Sequence, residues 1–427
     1  MDGEGRLPDT NHQRLVKAKS EVRREVKVKR YISSTYKCRV HAGFDALVGL
    51  PRELDRLGVR RVLVVCSNSV AHKTELIVRI QNLIGERSEG IYDKIGRHAT
   101  VASVQAAATL AKTLDVDCLV AVGAGSVLMA TRIVAILARE SRPIGELITQ
   151  YPENAEAHSP KLNAPKPIII NVLTAPTLAQ NRSGGALKDP TADHRLEFFD
   201  PKTRPSAIFW DSEALMTAPA LLSVDTGLTI FWFTLMTRAA ADVDNVLSFG
   251  DRVRAFELAA GALPRMGDPV DVKARIEVCA AAYLLNRDED CGNFLAGEHW
   301  IVKVCYALGS GIFMLRDDIG PGISYAILTA AAIRQFGDRN PRVVAQMGAL
   351  LQHTDPNHPV ASPADVAKAF EDFLERNGFV RRLRDLGVAK EALATVRNNA
   401  LKNFNADRSR ELVDEIAGLD KVLLDAW

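Results

Sequence analysis

Four short apolar runs punctuate the first half of the chain, at residues 62–65, 118–122, 168–172 and 207–210. Each is rich in β-branched or aromatic residues, and its flanks carry charged or turn-forming residues. That is the pattern of a strand buried on both faces. Between the runs, residues 100–114 place alanine and other apolar residues at helical spacing, and a second helical stretch covers 127–139. Strand and helix alternating in this way predict a parallel sheet with helices on its faces. Beyond about residue 212 the pattern changes. Residues 259–263, 276–285, 323–336, 366–377 and 408–424 carry helical periodicity, divided by proline and glycine, and no strand pattern follows.

The fold class expected is therefore α/β plus all-α. A Rossmann-like parallel-sheet domain spans 31–211, an all-helical domain spans 212–427, and residues 1–30 form a polar, basic N-terminal extension. A length of 427 residues suits two cores. Net charge is +2, from 54 basic and 52 acidic residues, too even a balance to argue for nucleic acid. No apolar run is expected to reach the roughly 18 residues of a membrane span. The six cysteines are scattered and none forms a CxxC, which reads as reduced thiols in a cytoplasmic protein.

One turn carries candidate chemistry. Gly123, Ala124, Gly125 and Ser126 join a buried strand to a helix. Small residues there let backbone N–H groups approach a pyrophosphate, and the helix dipole favours the anion. A tight strand-to-helix turn also needs glycine for its own sake. Leu128 stands where a third fingerprint glycine would be. The run Asp288-Glu289-Asp290 reads as a solvated helix end before a turn at Cys291-Gly292, rather than as a metal site.

The order of motifs resembles the iron-containing alcohol dehydrogenase superfamily, and most closely its maleylacetate reductases. The family's glycine turn corresponds to Gly123–Arg132, and its second cofactor turn to 172–180, with Thr174 and Thr177 kept and Pro176 and Leu178 in place of glycines. Residues 57–66, 97–101, 204–211, 222–227 and 306–309 are similar to further family segments. The resemblance covers roughly 31–420. It implies the dehydroquinate synthase-like, group III alcohol dehydrogenase fold, NADH or NADPH as cofactor, and a homodimer. Ser67 and Asn68 occupy the place of the family's acidic residue after the first strand, so a 2′-phosphate is not repelled. Arg195 keeps a basic residue before the fourth strand.

The resemblance fails at the metal. The family's ligand positions fall on Thr229, Phe233, Tyr306 and Arg316, or Pro321 with a small insertion. No first-row ion suits that set, so no metal is expected. Three candidates remain for the chemistry of a reductase. Tyr306 is a proton donor or a packed core aromatic. Arg316 is a fork for a carboxylate or oxyanion, or the partner of Asp317, Asp318 or another acid. His299, beside Glu298, is the one histidine expected to line the cleft. The leading expectation is a metal-independent NAD(P)H-dependent reductase of a small carbonyl or enol substrate. Two alternatives stand beside it: a non-redox enzyme on the same scaffold (cyclisation, elimination or hydrolysis), or a non-catalytic subunit in a heteromer with an intact paralogue.

Overall fold

A computed structural model describes residues 30–427, apart from 98, 153–156, 190–194, 293–296, 317, 353–361, 380–381 and 404. The basic N-terminal stretch therefore lies outside the described residues, as do His98 and Asp317.

Among the described residues there are eight strands: β1 (Arg39–Gly43), β2 (Val62–Cys66), β3 (Ser88–Tyr92), β4 (Cys118–Gly123), β5 (Ile168–Leu173), β6 (Gly185–Leu187), β7 (Leu196–Phe198) and β8 (Ala207–Asp211). Six of them make one sheet in the order β1-β8-β5-β4-β2-β3, with every neighbouring pair parallel. The four central strands are those the apolar runs predict. They are continuous in apolar residues because helices cover both faces. One face packs under α4 (Val101–Thr113) and α5 (Gly125–Leu137), through Val104, Ala107, Leu128 and Val134. The other packs under α1 (Leu50–Leu57) and α3 (Leu76–Ile84), through Leu50, Leu54, Ile77 and Ile80. A short helix, α2 (Asn68–Lys73), follows β2, and another, α6 (Ile144–Leu147), precedes β5.

The edge strands β1 and β3 and the antiparallel hairpin β6–β7 have no counterpart among the predicted runs. Arg39–Gly43 and Ser88–Tyr92 mix charged, small and apolar residues, because an edge strand keeps water on one side.

At Asp211 the chain leaves the sheet. Its carboxylate caps α7 (Ser212–Met216) by accepting from the Ala214 N–H at 3.2 Å, and it also accepts from the Leu47 N–H and pairs with Arg79. Everything described beyond it is helical or irregular: α8 (Ala220–Ala239), α9 (Val246–Ala262), α10 (Val272–Asp290), α11 (Trp300–Leu315), α12 (Pro321–Phe336), α13 (Pro341–Gln352), α14 (Pro363–Arg376), α15 (Leu393–Ala400) and α16 (Ile416–Ala426). Within the 408–424 stretch, a 3-10 turn over Glu411–Glu415 precedes α16.

One expectation needs correction. Helix α8 is 20 residues long and apolar enough, by composition, to cross a membrane. Its composition has a different cause: Leu228, Phe231, Trp232 and Leu235 sit at the centre of the helical core, and the Trp232 N–H donates to the Thr329 hydroxyl of α12 at 2.7 Å.

The two domains share a buried polar seam. Gln180, from the loop after β5, donates to the Cys279 carbonyl of α10 at 2.7 Å and accepts from the Trp210 indole at 2.8 Å. Here the acidic run is also corrected. Asp288 is fully buried, bonded to Ser248 and Arg252, while Asp290 meets Arg204 at 2.6 Å and Glu289 meets Arg182 at 2.6 Å. Tertiary contacts supply arginines that a local reading of three acids does not see. All six cysteines are free thiols.

Candidate active site

The two turns singled out by sequence meet at the carboxyl ends of β4 and β5. The Thr174 N–H donates to the Gly123 carbonyl at 3.2 Å. A Cβ on Gly125 would stand 3.0 Å from the Thr177 hydroxyl, so the glycine lets the turns touch. Ala124 is the N-cap of α5 and offers no side-chain cap, so the N–H groups of Gly125 and Ser126, at the start of a 13-residue helix, have no cap from it. Arg132, buried on α5 seven residues after Gly125, donates to the carbonyls of Ala179 and Arg182, both at 2.7 Å, and so pins the second turn. Burial, with Arg182 and Arg204 nearby, pulls its pKa down to about 9, still cationic at neutral pH. Ser67 caps α2 by accepting from the Val70 N–H at 3.4 Å, and Asn68 opens that helix at the end of the neighbouring strand β2. Leu178 packs against the helical core, and its carbonyl accepts from Asn286 at 2.8 Å.

Beside these turns a cavity of about 250 Å³ lies between the domains. The sheet domain contributes Arg97, Ser126, Met129, Lys188, Arg195 and Glu197 to its walls. The helical domain contributes Tyr306, Ser310, Phe313 and Met314 from α11 and Pro321 and Tyr325 from α12. The segment after α15 adds Lys402, Asn403 and Asn405, next to Asn399 at the end of that helix. Four cations face one carboxylate. Glu197 is engaged by the Tyr151 hydroxyl and by the Asn405 amide, so it links the β6–β7 hairpin to the helical domain.

Of the three catalytic candidates, only Tyr306 lines the cavity. Burial raises its phenol above the ordinary value, partly countered by Arg195 and Arg182. It is therefore protonated at neutral pH and has an O–H to give. Arg316 makes a two-pronged ion pair with Asp318 at 2.7 and 2.6 Å and donates to the Gly387 carbonyl at 3.1 Å, outside the cavity walls. His299 is buried as the N-cap of α11, its Nδ1 accepting from the Val302 N–H at 3.4 Å. Burial lowers its pKa to about 4. Glu298 turns away to Arg252, and burial lifts it to about 7. The pair is a helix start, not part of the cleft. Lys188, Tyr325, Lys402 and the asparagines were missed. Lys188 lies just past a three-residue hairpin strand, Tyr325 is on a helix face indistinguishable from core, Asn399 is at a helix end, and Lys402, Asn403 and Asn405 lie in an irregular segment.

The positions that correspond to family metal ligands do not suit an ion. Thr229 donates its hydroxyl to the Asp225 carbonyl at 2.8 Å. Phe233, Tyr306 and Tyr325 form a triangle of rings with centroids 5.6–6.0 Å apart. Among the described residues, no three of His, Cys, Asp and Glu converge on one point. Asp225, a carboxylate one helical turn before Thr229, accepts from the Ile323 N–H at 3.1 Å.

Burial lifts Asp225 to about 6, while the Ile323 N–H and Arg97 pull the other way. Its proton is held more tightly in the fold than in the unfolded chain, where a carboxyl titrates near 3.9. The stability it confers is complete below about pH 4 and is lost as pH rises through 6. Asp225→Asn is thus expected to be more stable than the parent at pH 8, by about 1–3 kcal/mol, with the gain vanishing at pH 4. Denaturant midpoints at the two pH values test this; a difference independent of pH would sink it.

Comparison with known proteins fits this geometry. Residues 38–212 match the family model described as iron-containing alcohol dehydrogenase. A maleylacetate reductase of Burkholderia cepacia is 22% identical, over 86% of this chain and 89% of its own. A 4-hydroxybutyrate dehydrogenase of Cupriavidus necator is 25% identical, over 86% and 92%. Among solved structures, NADH-dependent butanol dehydrogenase A of Thermotoga maritima superposes with a TM-score of 0.77 at 17% identity, covering 93% of this chain and 100% of the other. Maleylacetate reductase from Rhizobium sp. strain MTP-10005 gives 0.69 at 20% identity, with 93% and 98% covered.

Proposed function

The chain belongs to the iron-containing alcohol dehydrogenase and maleylacetate reductase superfamily, and from that premise we propose that it is a metal-independent, NAD(P)H-dependent reductase of a carbonyl or enol substrate that carries a carboxylate. The observation that carries this reading is the juxtaposition of two features. An uncapped helix start and a threonine turn meet beside a cavity whose walls hold four cations, one carboxylate and a protonated phenol.

The residues fit a dinucleotide. Gly125 and Ser126 present N–H groups to a pyrophosphate, Thr174 and Thr177 border the same turn, and Ser67 and Asn68 stand at the ribose side. The nicotinamide, when bound, supplies hydride. Arg195, with Lys188 or Arg97, holds the substrate carboxylate. Tyr306 donates its O–H to the carbonyl oxygen and gives up the proton as charge develops there. With ring-packed residues at the family's ligand positions, charge stabilisation falls to these groups.

The test is thermal unfolding with and without millimolar NADH or NADPH. Nucleotide at about 100 times its dissociation constant adds about 2.7 kcal/mol. For a chain of this length that moves the midpoint by about 3 °C. No shift with either nucleotide would overturn the reductase reading in favour of a non-redox enzyme or a partner subunit. The same sample answers the oligomeric question by light scattering, with a homodimer expected.

A further inference from the structure

We propose that the interdomain cavity selects ligands that combine an aromatic ring and a carboxylate on one small body; this deepens the reductase reading by naming its substrate class. The cavity has two kinds of wall. One is apolar and ring-bearing. Tyr306, Ser310 and Phe313 follow one another at spacings of four and three residues along α11, which puts them on one helix face, with Met314 beside them. Tyr325 of α12 joins that face, its ring centroid 5.6 Å from that of Tyr306. Met129 enters from α5, in the other domain. A thioether is a soft, polarizable neighbour for a ring, and two of them border this space.

The other kind of wall is cationic. Arg97, Lys188, Arg195 and Lys402 face the cavity. Arg97 and Lys188 make no ion pair with the described residues, and Glu197 already serves Tyr151 and Asn405. The cations and rings are close enough for Arg195 to act on the Tyr306 phenol. A volume of about 250 Å³ suits a one-ring acid of roughly a dozen heavy atoms. A short aliphatic dicarboxylate would satisfy the cations and leave the rings facing water. An uncharged ring would cover the apolar wall and bring no counter-charge to Arg97 and Lys188. Only a ligand with both features satisfies both walls.

The shared chemistry of ring and anion also describes nicotinamide mononucleotide, so the experiment separates the two. Nucleotide-free protein is titrated by calorimetry with 3-phenylpropionate, succinate, benzyl alcohol and nicotinamide mononucleotide. The expected result is 3-phenylpropionate binding at least about tenfold more tightly than succinate or benzyl alcohol. Arg97→Ala and Lys188→Ala, both on the cavity rim and outside the packed cores, should each weaken the aryl acid about tenfold and leave benzyl alcohol unchanged. Succinate binding as tightly as the aryl acid would overturn the proposal. So would tighter, competitive binding of the mononucleotide, which would assign the cavity to the cofactor. Because no nucleotide is present in the first three titrations, an aryl-acid preference stands even if NADH and NADPH produce no thermal shift.

Discussion

Tyr306→Phe is expected to lower kcat about 100- to 1000-fold, with KM nearly unchanged, for whatever carbonyl substrate the chain reduces. The substitution removes one oxygen and keeps the ring, so the contacts with Phe233 and Tyr325 at 6.0 and 5.6 Å survive. Carboxylate binding by the cationic wall also survives, which is why the loss should fall on kcat. The phenol is the sole candidate of the original three that faces the cavity, and burial keeps it protonated. Steady-state oxidation of the nucleotide measures the effect, and a denaturant midpoint confirms that the variant folds as the parent does. An unchanged kcat would place the proton on another group and reduce Tyr306 to a packed ring.

Gly311→Ala is expected to cost about 3 kcal/mol of stability, and to weaken ligand binding as well. Gly311 lies on α11 where α15 crosses it. A Cβ added there would fall far inside contact distance of the Val396 carbonyl oxygen and press on the Ala400 backbone nitrogen. Backbone cannot rotate out of the way as a flexible side chain can, so one helix must move. Helix α15 ends at Asn399 and Ala400 and leads directly to Lys402, Asn403 and Asn405, so the displaced element carries one wall of the cavity. Alanine's better helix propensity, roughly 1 kcal/mol, offsets only part of this. Gly250→Ala provides the contrast. It lies in α9 with nothing within 4 Å of an added Cβ, and should stabilise by up to about 1 kcal/mol. Denaturant midpoints for both variants test the argument; a Gly311→Ala protein as stable as the parent would refute the tight crossing.

What the sequence carried plainly was whatever local periodicity encodes. The four central strands are continuous apolar runs because both of their faces are dry, and the helical half shows its period because each helix has a dry face. The order of motifs carried the fold, and the substituted ligand positions at Thr229, Phe233 and Tyr306 carried the mismatch with a metal. The edge strands were not legible, since Arg39–Gly43 and Ser88–Tyr92 are half wet and lack a clear pattern. Asp288 looked solvated because charge is read residue by residue, whereas its burial depends on Arg252, which lies 36 residues earlier in the chain. His299 looked like a cleft residue because its type suits catalysis; its place at the start of α11 made it a cap instead. Arg316 had several acids available by sequence, and the fold gave it Asp318 and the Gly387 carbonyl. The cavity itself was the least visible feature. Its walls come from segments near residues 97, 126, 188, 197, 310, 325 and 402, drawn from both domains. A sequence determines which faces of its elements avoid water. Which of those faces meet, and which polar groups are trapped between them, is decided only when the elements pack.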